Sequence, residues 1–147
     1  MASTSNHLKQ WKHNREFLPT ILPKHADWIV TATFYTALHA VDALLYADNL
    51  RITNHNNRND ILINTHKYMQ ITRHYLPLYD LSRTVRYLAD PVTWVPFEKI
   101  SSDVFTKYLY PVERSVKKLL THRNAINDED MPLTEISLWT AADSDSN

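Results

Sequence analysis

The chain has 147 residues, 16 Lys+Arg against 16 Asp+Glu, eight His, no Cys and no Gly. Without glycine it holds no Walker loop, dinucleotide fingerprint or G-x-S-x-G nucleophile elbow, each of which needs backbone at positive φ or close against a phosphate; without cysteine it holds no disulfide, thiolate nucleophile or zinc–thiolate site. The balanced total hides an asymmetry: residues 128–147 carry six acidic side chains (Asp128, Glu129, Asp130, Glu135, Asp143, Asp145) and no Lys or Arg, so this stretch is −6 and residues 1–127, with 16 basic and 10 acidic groups, are +6.

A chain of this length forms one domain that buries roughly 70% of its unfolded surface, and tight hairpins are disfavoured where no glycine can fill the turn. The expectation is an all-α, up-down bundle of four to five helices over residues 1–127, followed by an acidic tail, 128–147, that is disordered or loosely docked. No apolar run approaches ~20 residues and the first residues are too polar for a signal peptide, which predicts a cytoplasmic protein with no membrane association.

The first helix is expected from Ser5 or Asn6, either of which can cap it, with Leu8, Trp11, Arg15 and Leu18 along it. Pro19 and Pro23 bracket a short connection. Helix two has the clearest pattern: from His25 to Asn49 there is no proline, and Trp28, Ile29, Ala32, Tyr35, Leu38, Val41 and Leu45 recur at spacings of three and four. Phe34, Ala37 and Leu44 widen its apolar arc, as befits a central helix, and Asn49 is a left-handed stop where no glycine is present. After a polar loop with five asparagines at 49, 54, 56, 57 and 59, a third helix is expected with Ile61, Leu62, Thr65, Tyr68, Met69 and Thr72 inward. Pro77 then kinks it or opens a fourth helix with the seam Leu78, Leu81, Val85, Leu88. Residues 90–97 read as a loop around Trp94. Ser101 or Ser102 caps a last helix with Val104, Tyr108, Val112, Val116 and Leu119 inward and a kink near Tyr110 caused by Pro111. In the tail, Leu133, Ile136, Leu138 and Trp139 are the apolar residues available for docking.

Three groups of side chains carry chemistry. His55 and Arg58, at i and i+3, enter the third helix where unpaired backbone N–H groups already favour an anion. In YDLSRTVRY, Tyr79, Arg83 and Arg86 fall within about 60° of one another on a helix, and two arginines on one arc can chelate a phosphate; Tyr87 ends the motif. Tyr35, His39, Asp42 and Tyr46 share one face of helix two, where Tyr35 or Asp42 can hydrogen-bond His39 and fix its tautomer. Each group also has a plain structural reading, as caps, a surface ion network or a satisfied core histidine. No pair of histidines has the spacing of two metal ligands on one helical face, and no cofactor motif is present, so neither a metal nor a cofactor is expected.

The segments ADWIVTATFYTALHAVDALL, NHNNRNDIL and YLPLYDLSRTVRY, in this order over residues 24–90, resemble the HEPN superfamily of small helical-bundle proteins. The resemblance implies a homodimer and, in many members, a metal-independent endoribonuclease of toxin–antitoxin or phage-defence systems. Arg58 and Arg86 would then hold the scissile phosphate, with Arg83 beside them. His55 or His66 would serve as general base or acid on the ribose 2′-OH to leave a 2′,3′-cyclic phosphate, and a cognate protein partner is expected alongside RNA. The R-x(4–6)-H signature of those nucleases is absent. Its nearest counterparts, Arg58 with His66 and Arg114 with His122, are eight residues apart, which places the second side chain about 80° round a continuous helix. The alternative implied by members without the active site is a catalytically inactive helical dimer that binds a protein or nucleotide. A small-molecule enzyme built around His39 is a third reading. The central expectation is that His55, Arg58, Arg83 and Arg86 converge on one anion pocket.

Overall fold

The computed structural model describes residues 3–22, 25–87, 103–127 and 129–137. Those residues form an all-α, up-down bundle of five helices, with no strand among the described residues. Helix α1 spans Thr4–Phe17 and passes through a 3₁₀ turn at Leu18–Thr20; α2 spans Ala26–Ala47 and α3 His55–Asn64; a second 3₁₀ turn at His66–Tyr68 leads into α4, Met69–Tyr87; a π-helical stretch, Val104–Leu109, runs into α5, Tyr110–His122.

The start of α1 lies earlier than expected because Ser3 is the cap, its hydroxyl accepting from the Asn6 N–H at 3.2 Å. Helix α2 is the hub: α1, α4 and α5 all pack on it, and Ile29, Phe34, Val41, Leu44 and Leu45 are fully buried along it. Each such side chain contributes about 1.5–3 kcal/mol by leaving water. It ends at Asn49, whose φ of 62° is the left-handed stop predicted for it. By length and composition α2 alone among the described helices is apolar enough to cross a bilayer, but 72% of its most apolar window is buried inside the bundle. Counting uninterrupted apolar residues overlooks this helix, because Asp42 and several Thr and Tyr residues break the run while the mean hydropathy stays high.

The third predicted helix is two. The chain breaks at Thr65, which is extended at φ −117°, ψ 111°, and not at Pro77, which sits inside α4. The Leu62 carbonyl left over at the end of α3 accepts from the Thr72 hydroxyl at 2.8 Å, so the break is satisfied by α4 itself. Pro77 is exposed, and solvent can take the carbonyl it leaves unbonded one turn earlier. The break also turns Met69 outward, 45% exposed, where the sequence placed it inward. The buried row of α4 is Ile71, Tyr75, Leu78 and Ser82, while Leu81 and Val85 are half-buried.

In the last segment the wider π turns change the register: Phe105 and Leu109 are buried and Tyr108 is only half-buried, and Pro111 falls in the first turn of α5, where no N–H is required. Beyond α5, Met131 is buried, Leu133 and Ile136 pack on the core, and the Ile136 N–H donates to the Tyr110 hydroxyl at 2.9 Å. One end of the bundle is closed by Glu113, fully buried, which accepts from Trp11 Nε1 at 2.7 Å and from Arg15 Nε at 2.5 Å. The predicted roles of Pro23, Leu88, residues 90–97, Ser101, Ser102, Leu138 and Trp139 fall outside the described residues, as does the side chain of Tyr87.

Candidate anion-binding cleft

The start of α3 is fixed by a reciprocal cap. Asn54 Oδ1 accepts the Asn57 N–H at 2.8 Å, and Asn57 Oδ1 accepts the Thr53 N–H at 3.1 Å. This uses the asparagine run and leaves the N–H groups of His55 and Asn56 as first-turn donors with no acceptor within the helix, and both residues line a cleft. The cleft is about 410 Å³ and is lined by Asn54, His55, Asn56, Tyr79, Arg83 and Arg86. His55, Arg83 and Arg86 are thus brought together as expected.

Arg58 is not in that lining. It is 7% exposed and directed inward, its Nε donating to Asp42 Oδ1 at 2.6 Å and its Nη2 to Asp42 Oδ2 at 2.8 Å. A two-pronged bond to a buried carboxylate leaves no charge to offer a phosphate. The reason lies on α2: Asp42, 3% exposed on a helix of apolar side chains, requires a buried cation, and Arg58 is the one that meets it. Burial alone would lower the Arg58 pKa, but the Asp42 carboxylate outweighs it and the guanidinium is held charged more firmly than usual. Asp42 therefore does not serve His39, as the shared face of helix two suggested.

The remaining prong decides the state of His55. Arg58 Nη1 lies 3.1 Å from His55 Nδ1, and since a guanidinium only donates, Nδ1 must be the acceptor. The neutral ring then carries its proton on Nε2. Burial, and after it the charges of Arg58 and Arg86, hold the His55 pKa below the ordinary histidine value. At neutral pH His55 is an uncharged donor.

Aromatic rings form the floor. Phe34, fully buried on α2, has its ring centroid 5.9 Å from His55, 5.8 Å from Tyr79 and 5.8 Å from Tyr75. The Arg86 guanidinium lies 5.8 Å over Phe34 and 5.9 Å over Tyr35, with Nη1 donating to the Tyr35 hydroxyl at 3.1 Å and Nε to the Ser82 carbonyl at 3.2 Å. Arg83 lies 5.6 Å over Tyr79. Each arginine thus lies within cation–π reach of an aromatic ring, and Arg86 also donates to two oxygen acceptors. Tyr35 and Tyr79 are supporting residues here; Phe34 is one that periodicity assigned only to the widened apolar arc.

The other candidates lie elsewhere. His66, exposed in the 3₁₀ turn, lines a separate depression with Leu62, Ile63, Met69, Thr72 and Arg73; the break at Thr65 does not carry it to the cleft. His39 is paired with His7, which no motif in the sequence marks, through Nδ1 atoms 3.0 Å apart, and His7 also packs on Tyr46. Thirty-two residues separate them, so no spacing rule joins them. A hydrogen bond between two Nδ1 atoms needs one protonated and one bare, and burial is the main cause holding both pKa values below normal. Among the described residues no group of three or more His, Asp or Glu is placed to hold a metal ion.

Three imidazoles with lowered native pKa values set a pH dependence. Below about 6.5 the unfolded chain takes up protons on His7, His39 and His55 that the native state resists, so stability falls as the pH drops through that region. The urea midpoint is expected to decrease between about pH 7.5 and 5.5, and His39→Gln should reduce the decrease; a flat midpoint would contradict the buried, neutral pair. Burial pushes the Asp48 carboxyl up, but hydrogen bonds from the Tyr68 hydroxyl and Arg123 outweigh it and hold the group below the usual carboxylate range. Asp48 therefore contributes stability above about pH 4 that is lost at lower pH, a separate window.

No family model, curated protein or solved structure matches this chain.

Proposed function

We propose that this is an HEPN-like RNA-binding protein, acting as a homodimer, whose cleft at the start of α3 holds a phosphodiester of single-stranded RNA. The observation that carries the reading is the donor set. Among the described residues that line the cleft, the charged ones are both arginines and none is a carboxylate, and Arg58 fixes the neutral His55 as a donor at Nε2. Two guanidinium groups, an imidazole N–H, the Tyr79 hydroxyl and first-turn amides match the acceptor oxygens of a phosphate. Tyr79, half-buried in the cleft lining, suits a single strand, whose bases can stack on aromatic side chains. The +6 of residues 1–127 adds long-range attraction. The resemblance of three segments to HEPN proteins points to the same class of ligand.

The geometry favours holding RNA over cutting it. A general base needs a bare nitrogen near the 2′-OH, but baring Nε2 of His55 would move its proton to Nδ1, against the Arg58 N–H at 3.1 Å. The second histidine of the nuclease reading, His66, lines a different depression. The test is fluorescence anisotropy with a short single-stranded RNA in EDTA, followed by a gel of the same mixture, with the protein's mass measured by light scattering. Saturable binding of RNA that stays intact is the expected result. The absence of binding would remove the proposal. Cleavage lost in His55→Ala would replace it with the nuclease reading.

A further inference from the structure

We infer that the apolar groove between α1 and α2 is a base-stacking subsite, which receives an unpaired nucleobase of the same RNA strand whose phosphate occupies the arginine cleft. The inference rests on the RNA-binding reading above and extends it by naming what flanks the phosphate. The groove is about 480 Å³, and among the described residues that line it none is Asp, Glu, Lys or Arg. Its walls include Phe17, Leu22, Trp28 and Ala32, and Tyr35 closes the end toward α4. Three of the most exposed large apolar side chains among the described residues meet here: Trp28 at 62%, Phe17 at 50% and Leu22 at 40%. An indole held in solvent to this extent contributes little to the core and is poised to stack on a flat ring.

Tyr35 joins the groove to the cleft through one hydrogen bond. Tyr35 lines the groove and its hydroxyl accepts from Arg86 Nη1 at 3.1 Å, so one side chain belongs to one site and anchors the other. Trp28, Ala32 and Tyr35 follow at spacings of four and three along one face of α2, which puts Trp28 about 10 Å along the helix axis from Tyr35. A strand held by its phosphate at Arg86 can therefore lay a neighbouring base along this face. The division of chemistry selects the occupant. The cleft is cationic and takes the phosphate. The described lining of the groove is mainly apolar, with three aromatic rings, and holds no Asp, Glu, Lys or Arg, so it favours the base face over the phosphate. Sequence tolerance follows, because every base presents a π-face.

The test compares two single-stranded RNA probes by anisotropy: an oligonucleotide bearing all its bases and one of equal length whose sugar–phosphate backbone is abasic. The wild-type protein is expected to bind the base-bearing probe about tenfold more tightly, in line with stacking on one aromatic residue. Trp28→Ala should remove most of that preference while leaving the affinity for the abasic probe unchanged, and Trp28→Phe should keep most of it. Trp28 is exposed, so its replacement does not endanger the fold. A preference retained in Trp28→Ala, or absent from the wild type, would overturn the assignment even where Arg86→Ala still weakens both probes and the cleft stands. If Arg86→Ala weakens neither probe, the cleft reading fails, and the groove assignment with it. Conversion of a dimer to a monomer by Trp28→Ala with the preference intact would also overturn it, by assigning the groove to a second copy of the chain.

Discussion

Asp42→Ala is expected to lower the free energy of unfolding by about 3–5 kcal/mol, the loss typical of removing one partner from a buried ion pair. The side chains of Arg58 and Asp42 are 8% and 5% exposed, so the guanidinium left behind has neither solvent nor counter-charge. Urea unfolding followed by circular dichroism measures the loss. Replacing both partners with apolar side chains, Asp42→Leu with Arg58→Met, should recover most of the stability, since the penalty comes from the stranded charge more than from the missing bond. The double variant also separates folding from function. It has no Arg58 N–H to set the His55 tautomer, so it should fold and yet bind RNA more weakly than the wild type. Equal stability of Asp42→Ala and the wild type would mean that the pair is not buried as described.

The second large effect is expected from Arg83→Glu combined with Arg86→Glu. Each arginine is positioned for a charge-assisted bond of about 1.5–3 kcal/mol, and reversal adds repulsion, so affinity for single-stranded RNA should fall by about 100-fold or more. The dependence on salt should weaken in parallel, because each phosphate that is no longer neutralised takes about 0.7 from the slope of log K against log salt. Both substitutions are at exposed positions on α4, and unfolding midpoints close to the wild type are the control. Unchanged affinity and slope would place the anion site elsewhere.

Local periodicity made a good part of this legible. The three- and four-residue spacing of apolar side chains marks α2 and its central place, the absence of glycine directs attention to Asn49 as its stop, and the arc of Tyr79, Arg83 and Arg86 is visible because those residues share one helix. What spacing cannot report is a partner on another helix. The bond of Arg58 to Asp42 spans 16 residues and that of His7 to His39 spans 32, whereas spacing had offered Asp42 and His39 to each other. Asp42 carried the one usable signal, a carboxylate in the middle of an apolar helix, which calls for a buried cation without saying which. The helix breaks failed for a different reason. Proline is the strongest local mark of interruption, yet Pro77 is tolerated because its turn faces solvent, and the true break at Thr65 depends on the Thr72 hydroxyl arriving from α4 to satisfy Leu62. The π turns at Val104–Leu109 likewise shift Phe105 and Leu109 into the core by a register change that a 3.6-residue period does not contain.

The most direct measurement is a titration of ¹⁵N-labelled protein with short single-stranded RNA, followed by amide and imidazole chemical shifts. The largest changes are expected at Asn54, His55, Asn56, Tyr79, Arg83 and Arg86, with the His55 ring keeping its proton on Nε2 as its signal moves. Shifts confined to α5 or to the His66 depression, or none as the RNA is brought into excess, would contradict it.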